Sequence, residues 1–469
     1  MDFFSIDPTQ IASSIPDAQN PFSAMLFLIA NGGWILIIST IIWGLWTAWV
    51  EYIRNKFSAS LEYTLLAIDV PKMNEQSPKA VEHIFAHFYG IYKSGNLKEK
   101  YLKGYTQYGI SLEIVSIEGY IQYLIRTPTR FRDLVEASIY AQYPDAEITE
   151  VEDYIDMIPR PLELPDKEYD IWGTEIKLRQ NALYPIRTYP FFEHSLTQKF
   201  LDPMASLLEL MSRLNPSEQL WLQILVEPVN SSWREKGLEL INKLIGKKTE
   251  KKSNLDLFYF PREISKGLTE SFTAAIIEPT EMGGASAQKK EKEWPSMMQH
   301  LSPADREIVE SVGMKISKLG FLTKIRFIYS GKRGVMNNQK GVNGMVGALQ
   351  QFSTQNLNAF TVDKRTRTKI DYFFIKSRTL ARKRRVLWGY RYRSMKRGRN
   401  RFILNTEELA SLWHFPVTEV VKVPTVQTVA AKKAHAPMYL PIENEGDGQF
   451  KKYSPSPTIK GAPPTNLPI

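Results

Sequence analysis

The stretch LEYTLLAIDV at 61–70 reads as a β-strand, and the segments after it set the expected fold. Ser77-Pro78 supplies an N-cap and a proline at the first helical position, so a helix comes next. The runs 111–118 and 120–126 are two further β segments hinged at Gly119, a hairpin signal. Phe131, Leu134, Val135, Ser138 and Ile139 then recur at helical spacing, and 147–154 closes as a last strand. The order βαββαβ is that of the ferredoxin-like arrangement, so the sequence predicts an α+β fold with a ferredoxin-like domain over 57–160.

Outward from this stretch, a second α+β domain is expected over 170–416. It holds a strand near 174–179, a helix started by Asp202-Pro203, an apolar strand at 220–226 and a helix over 233–245. A polar insertion covers 246–300, Ser302-Pro303 caps another helix, and 321–329 reads as a buried strand. Residues 417–469 carry no apolar periodicity, and eight of the chain's 28 prolines fall within 421–469, which predicts an extended, disordered tail.

Towards the N-terminus, no charged residue occurs from 18 to 50, and 24–50 is strongly apolar. As a helix it would reach about 40 Å against a bilayer core of about 30 Å. This predicts a transmembrane helix over 24–53, with 1–23 outside. Trp34, Trp43, Trp46 and Trp49 are its interfacial aromatics, and Arg54 and Lys56 hold the rest of the chain in the cytoplasm. The acidic N-terminus, with Asp2, Asp7 and Asp17, lacks the basic start of a cleavable signal. The expected localisation is therefore the cytoplasmic membrane, single-pass, with the bilayer as a partner.

The 469 residues contain no cysteine, which excludes disulfides, thiolate metal sites and cysteine nucleophiles. Net charge is +10, yet 364–401 alone holds 16 Lys or Arg and one acid, Asp371, so the rest of the chain is net acidic. In this segment Arg382, Lys383, Arg384, Arg385, Arg391, Arg393, Lys396, Arg397, Arg399 and Arg401 interleave with Trp388, Tyr390 and Tyr392. Cations neutralise phosphates and rings stack on bases, so the pattern fits nucleic acid. Anionic lipid, an acidic protein partner or a solvated face fit the same charges.

Catalytic chemistry finds no foothold. His83 and His87 share a helical face but lack a third ligand, and Glu150, Glu152 and Asp153 read as a solvated edge. No nucleophile elbow, dinucleotide fingerprint or P-loop occurs; Gly246-Lys-Lys-Thr249 and Ser330-Gly-Lys-Arg-Gly334 both fail the last pattern. No catalytic residue, metal or cofactor is expected. Asn405 and Glu408 form a capping-box pair ahead of Trp413-His-Phe415.

Several of these stretches together resemble the membrane-anchored N-terminal region of bacterial conjugation and type IV secretion proteins that precede a HerA/FtsK-type motor ATPase. They are LEYTLLAIDVP at 61–71, EQSPK at 75–79, RFRDL at 130–134, AQYPD at 141–145, 202–214, 218–228 and NTEELASLWHFP at 405–416. No P-loop follows these stretches, so the motor is expected to be a separate chain. The resemblance implies a non-enzymatic adaptor of a DNA translocation machine, partnering a separate HerA/FtsK-type ATPase and DNA, and assembling with copies of itself. The competing expectation is a membrane-bound scaffold that holds anionic lipid or protein without nucleic acid.

Overall fold

A computed structural model describes residues 33–70, 74, 76–192, 201–246 and 301–417. The expected N-terminal segment 1–23, nearly all of the polar insertion and all but the first residue of the tail lie outside the described residues.

A nine-stranded antiparallel sheet organises the chain. Its strands are β1 (Tyr63–Asp69), β2 (Ile110–Ile117), β3 (Tyr120–Pro128), β4 (Glu147–Glu150), β5 (Tyr169–Leu178), β6 (Glu218–Pro228), β7 (Gly320–Lys332), β8 (Phe360–Val362) and β9 (Phe402–Asn405). Their order is β4-β1-β3-β2-β6-β7-β5-β8, with β9 pairing a further part of β7. The β2–β3 turn places Glu118 at φ 54° and Gly119 at φ 89°, the two left-handed residues a tight hairpin needs.

The expectation of ferredoxin-like units is corrected by this sheet. β2 runs beside β6 from Ile110↔Val226 to Ile117↔Gln219, so the strands of the first segment continue directly into those of the second and no separate domain ends at β2. The physical reason is burial on both faces: every residue of β2 except Ile117 is buried, and such a strand must be paired and covered.

One face of the sheet carries the larger core. Helices α2 (Pro78–Phe88), α4 (Arg132–Tyr140), α5 (Ala205–Ser212), α8 (Gly344–Gln350) and α10 (Thr406–Leu412) pack there, contributing Phe85, Ile139, Leu208, Met345 and Leu409; α1, α3, α6, α7 and α9 are Trp34–Ala59, Leu97–Tyr101, Ser232–Leu244, Pro303–Ser317 and Ile375–Arg391. Helix α7 begins where Ser302 accepts the Asp305 amide. Asn405 and Glu408 exchange backbone contacts at 2.8 and 3.0 Å, and Trp413, His414 and Phe415 beyond them are core residues rather than an exposed patch. The opposite face is covered by α9 and the 154–164 segment through Tyr154, Ile158, Val386, Leu387 and Tyr390.

The expected transmembrane helix is also corrected: among the described residues no helix is long and apolar enough to cross a membrane. The uncharged part of α1, from Trp34 to Val50, reaches about 26 Å at 1.5 Å per residue. Beyond it the helix carries Glu51, Arg54 and Lys56 and joins the folded body. Val50 and Ile53 are buried there, and Phe57 meets Tyr105 at 5.6 Å. Residues 24–32 of the expected span lie outside the described residues. Trp34, Trp43, Trp46 and Trp49 are all exposed, Arg54 is half-buried and Lys56 is exposed.

Candidate nucleic-acid interface

The α9 face of the sheet holds a row of polar residues in direct register across four strands. Glu113 on β2 faces Gln223 on β6, which faces Arg326 on β7, which faces Glu175 on β5. All four are buried. Gln223 donates to Glu113 at 3.1 Å, and Arg326 donates to Glu175 at 3.1 Å and to Gln223 at 3.4 Å. Each strand carries other polar residues as well, so the sequence has no local mark that sets these four apart; the register across the sheet brings them together.

This row clamps the basic segment. Arg326 donates to the carbonyls of Gly389, Ser394 and Arg397 at 3.0, 2.6 and 2.5 Å, and Lys324 also donates to Arg397. Glu175 accepts the Arg399 amide at 2.8 Å. A Cβ at Gly398, where φ is +94°, would lie 1.7 Å from the Glu175 carboxylate, so only glycine fits. Arg393 donates to Glu113 at 3.0 and 3.1 Å and to Asp153 at 2.9 Å, and Tyr154 meets Tyr390 at 2.8 Å. Burial alone would raise the Glu113 carboxyl. The charge and hydrogen bonds of Arg393, with those of Ser111 and Tyr154, bring it down to about 2.

A pH dependence results. Because the folded carboxyl titrates below the unfolded one, Glu113 contributes stability that is fully present above about pH 4.5 and is lost as pH falls towards 2. Urea melts at pH 5 and pH 3 should show a loss that Glu113→Gln lessens; an equal loss in the variant would remove Glu113 from the cause.

The basic side chains thus divide. Arg393 and Tyr390 are buried, and Trp388 is half-buried. Lys383 pairs with Asp170 and Arg391 with Asp156, while Arg384 donates to the Leu164 carbonyl at 3.1 Å. Arg382 donates to the carbonyls of Lys364 and Arg367 at 3.2 and 2.9 Å. Burial, then the guanidinium groups of Arg378, Arg367 and Arg385, hold its pKa below the ordinary value, the mark of a crowded cationic region.

The remainder face solvent. Lys364, Arg365, Lys369, Lys376, Arg385, Arg399 and Arg401 are exposed, and their side chains form no ion pair within 4.0 Å among the described residues. Arg397 lies 4.3 Å over the Trp388 ring, beside exposed Tyr392. Lys396 reaches Glu51 on α1 at 3.3 Å, which brings the basic loop to the root of that helix. Nearby Glu227 is pushed up to about 7 by burial, against the pull of Arg401, Lys396 and Lys324.

His83 and His87 are exposed, and no group of three or more His, Asp or Glu among the described residues is placed to hold a metal ion. What the arrangement offers chemically is a rigidly backed row of cations with aromatic neighbours. A comparison with curated proteins gives no match. Residues 95–428 match the model of a family described as a domain of unknown function (DUF8128), and with most of its length covered the chain belongs to that family.

Proposed function

We propose that the chain is a non-enzymatic adaptor that holds nucleic acid along the solvent side of α9 and the loop after it. The observation that carries the reading is the division of the basic segment. Its inward arginines fix the backbone on the buried polar row, and that fixed backbone presents the side chains of Lys376, Arg385, Arg399 and Arg401 to solvent with no ion pair within 4.0 Å among the described residues. Cations carried on a backbone already held in place need less ordering of the chain on meeting a row of phosphates. The resemblance to conjugation proteins supplies the setting: a DNA translocation machine with a separate HerA/FtsK-type motor.

The test is anisotropy of a labelled single-stranded oligonucleotide over a salt series. Four phosphate contacts give a log–log slope of about −3 on single strands. Replacing Lys376, Arg385, Arg399 and Arg401 together by Glu should flatten that slope towards zero at unchanged melting temperature. A wild-type line that is already flat, or a variant matching wild type, would sink the reading.

One observation favours a second reading, a scaffold on anionic lipid. α1 exposes Ile41, Ile42, Trp43, Leu45 and Trp46, and its base meets the basic loop through Glu51 and Lys396. An apolar helix flank beside cations suits a charged bilayer surface. Vesicle flotation lost with the charge variant, while DNA binding is absent throughout, would favour it.

A further inference from the structure

Residues 363–371, bonded to β5 through Asp363 and Thr368, and α9 after them form two limbs joined by a turn at 372–374. Arg382 ties the two limbs together through the Lys364 and Arg367 carbonyls. At the turn, Tyr372, Phe373 and Phe374 are 74, 80 and 83 % exposed, among the most exposed large apolar side chains of the described residues. Phe373 and Phe374 have φ of 44° and 47°, a left-handed conformation that bulky residues rarely adopt. Arg378 caps the turn, donating to the Tyr372 and Phe373 carbonyls at 2.8 and 3.2 Å. The rings are therefore displayed by a turn with its own fastening.

We propose that Tyr372, Phe373 and Phe374 are a base-stacking platform for single-stranded nucleic acid, with Lys369, Lys376, Arg378 and Arg385 holding the phosphates beside it.

Charge decides the occupant. The single acid of the segment 364–401, Asp371, is neutralised by Arg367 at 2.7 Å, so the surroundings of the rings are cationic on both limbs. A ligand that brings repeated negative charge and flat apolar faces at short intervals satisfies both features, and an unpaired nucleotide strand does so. Duplex DNA keeps its base faces stacked inside and cannot use the rings. The proposal rests on the nucleic-acid reading of the α9 face. It moves the stacking role from buried Tyr390 and from half-buried Trp388, which lies under Arg397, to three rings outside the basic–aromatic run 382–401.

The experiment compares full-length wild type with two triple variants, Tyr372, Phe373 and Phe374 replaced by Ala or by Leu. Each is measured on a labelled oligo-dT, on a duplex of equal length, and on vesicles containing phosphatidylserine. Leucine keeps apolar bulk but removes the π face. Both variants should bind oligo-dT at least about thirtyfold more weakly, with duplex binding and salt slope unchanged. Wild-type affinity for oligo-dT in the variants, with the steep slope retained, would overturn the platform and leave the cationic face standing. Absence of any nucleic-acid binding by wild type would overturn both. Vesicle binding lost in the alanine variant but kept in the leucine variant, with oligo-dT unaffected, would make the tip a lipid wedge and equally overturn the proposal. The rings are exposed, so the variants should melt as wild type; a duplex affinity that falls in parallel would assign the loss to misfolding and count against stacking.

Discussion

Replacing Arg393 with methionine should lower the unfolding free energy by about 3–5 kcal/mol, the usual cost of stranding a buried charge. Glu113 is fully buried, and Arg393 is its cationic partner at 3.0 Å. With the guanidinium gone, the carboxylate keeps Ser111, Tyr154 and Gln223 as donors but loses the cation bonded to it, and Arg126 acts on it only at longer range. Asp153 loses the same partner at the protein surface, where water compensates it. The loss should be recovered in large part by adding Glu113→Gln, because the stranded charge, rather than the missing contact, is the larger cost. Urea denaturation of both variants and the double mutant reads this directly. A single-mutant loss under about 1 kcal/mol would mean that water reaches Glu113. Under conditions where Arg393→Met remains folded, its DNA salt slope should match wild type, since this arginine serves the fold and not a phosphate.

A comparable loss is expected for Lys315→Met on the other side of the sheet. Lys315 and Glu408 are both fully buried and 2.9 Å apart. Burial lowers the Lys315 pKa, and the neighbouring Glu408 opposes it by favouring the ammonium. Glu408 also accepts the Ile186 and Asn405 amides at 3.0 Å each, so it joins α7, the 186 segment and the start of α10. Removing the cation should cost about 3–5 kcal/mol by the same reasoning. Adding Glu408→Gln should restore more than half, since its amide oxygen can still accept a backbone N–H. A double mutant no better than Lys315→Met would show that packing of the lysine stem, not charge, sets the loss.

Local signals in the sequence account for several pieces of this structure. The Gly119 hairpin, the Ser302-Pro303 helix start and the Asn405–Glu408 capping box each depend on neighbours within four residues. The continuous sheet does not. A strand's own residues look alike whether its neighbour is another strand or solvent, so the β2–β6 pairing across about 110 residues leaves no local trace. The uncharged run before Val50 reads as a span because hydropathy does not register that Val50 and Ile53 pack on the body. Charge counting locates the basic segment but cannot sort it. Whether Arg393 points inward depends on Glu113, 280 positions away, and Arg399 is fixed through Glu175. The aromatic tip escapes notice for a related reason: Tyr-Phe-Phe-Ile reads as core, and nothing short-range announces two phenylalanines in left-handed turns.

The seam between β2 and β6 has a consequence for taking the molecule apart. A cut in the exposed stretch near Leu162 would divide the chain into two pieces, each ending at one long, sticky strand edge. Neither piece would be complete. Trp413 from the C-terminal piece packs against Phe85 and Tyr123 of the N-terminal one, and the Asn74 side chain donates to the Pro416 carbonyl. Two such fragments, expressed together, have every reason to find each other and rebuild the sheet. Their reunion would bury both edges in one seam.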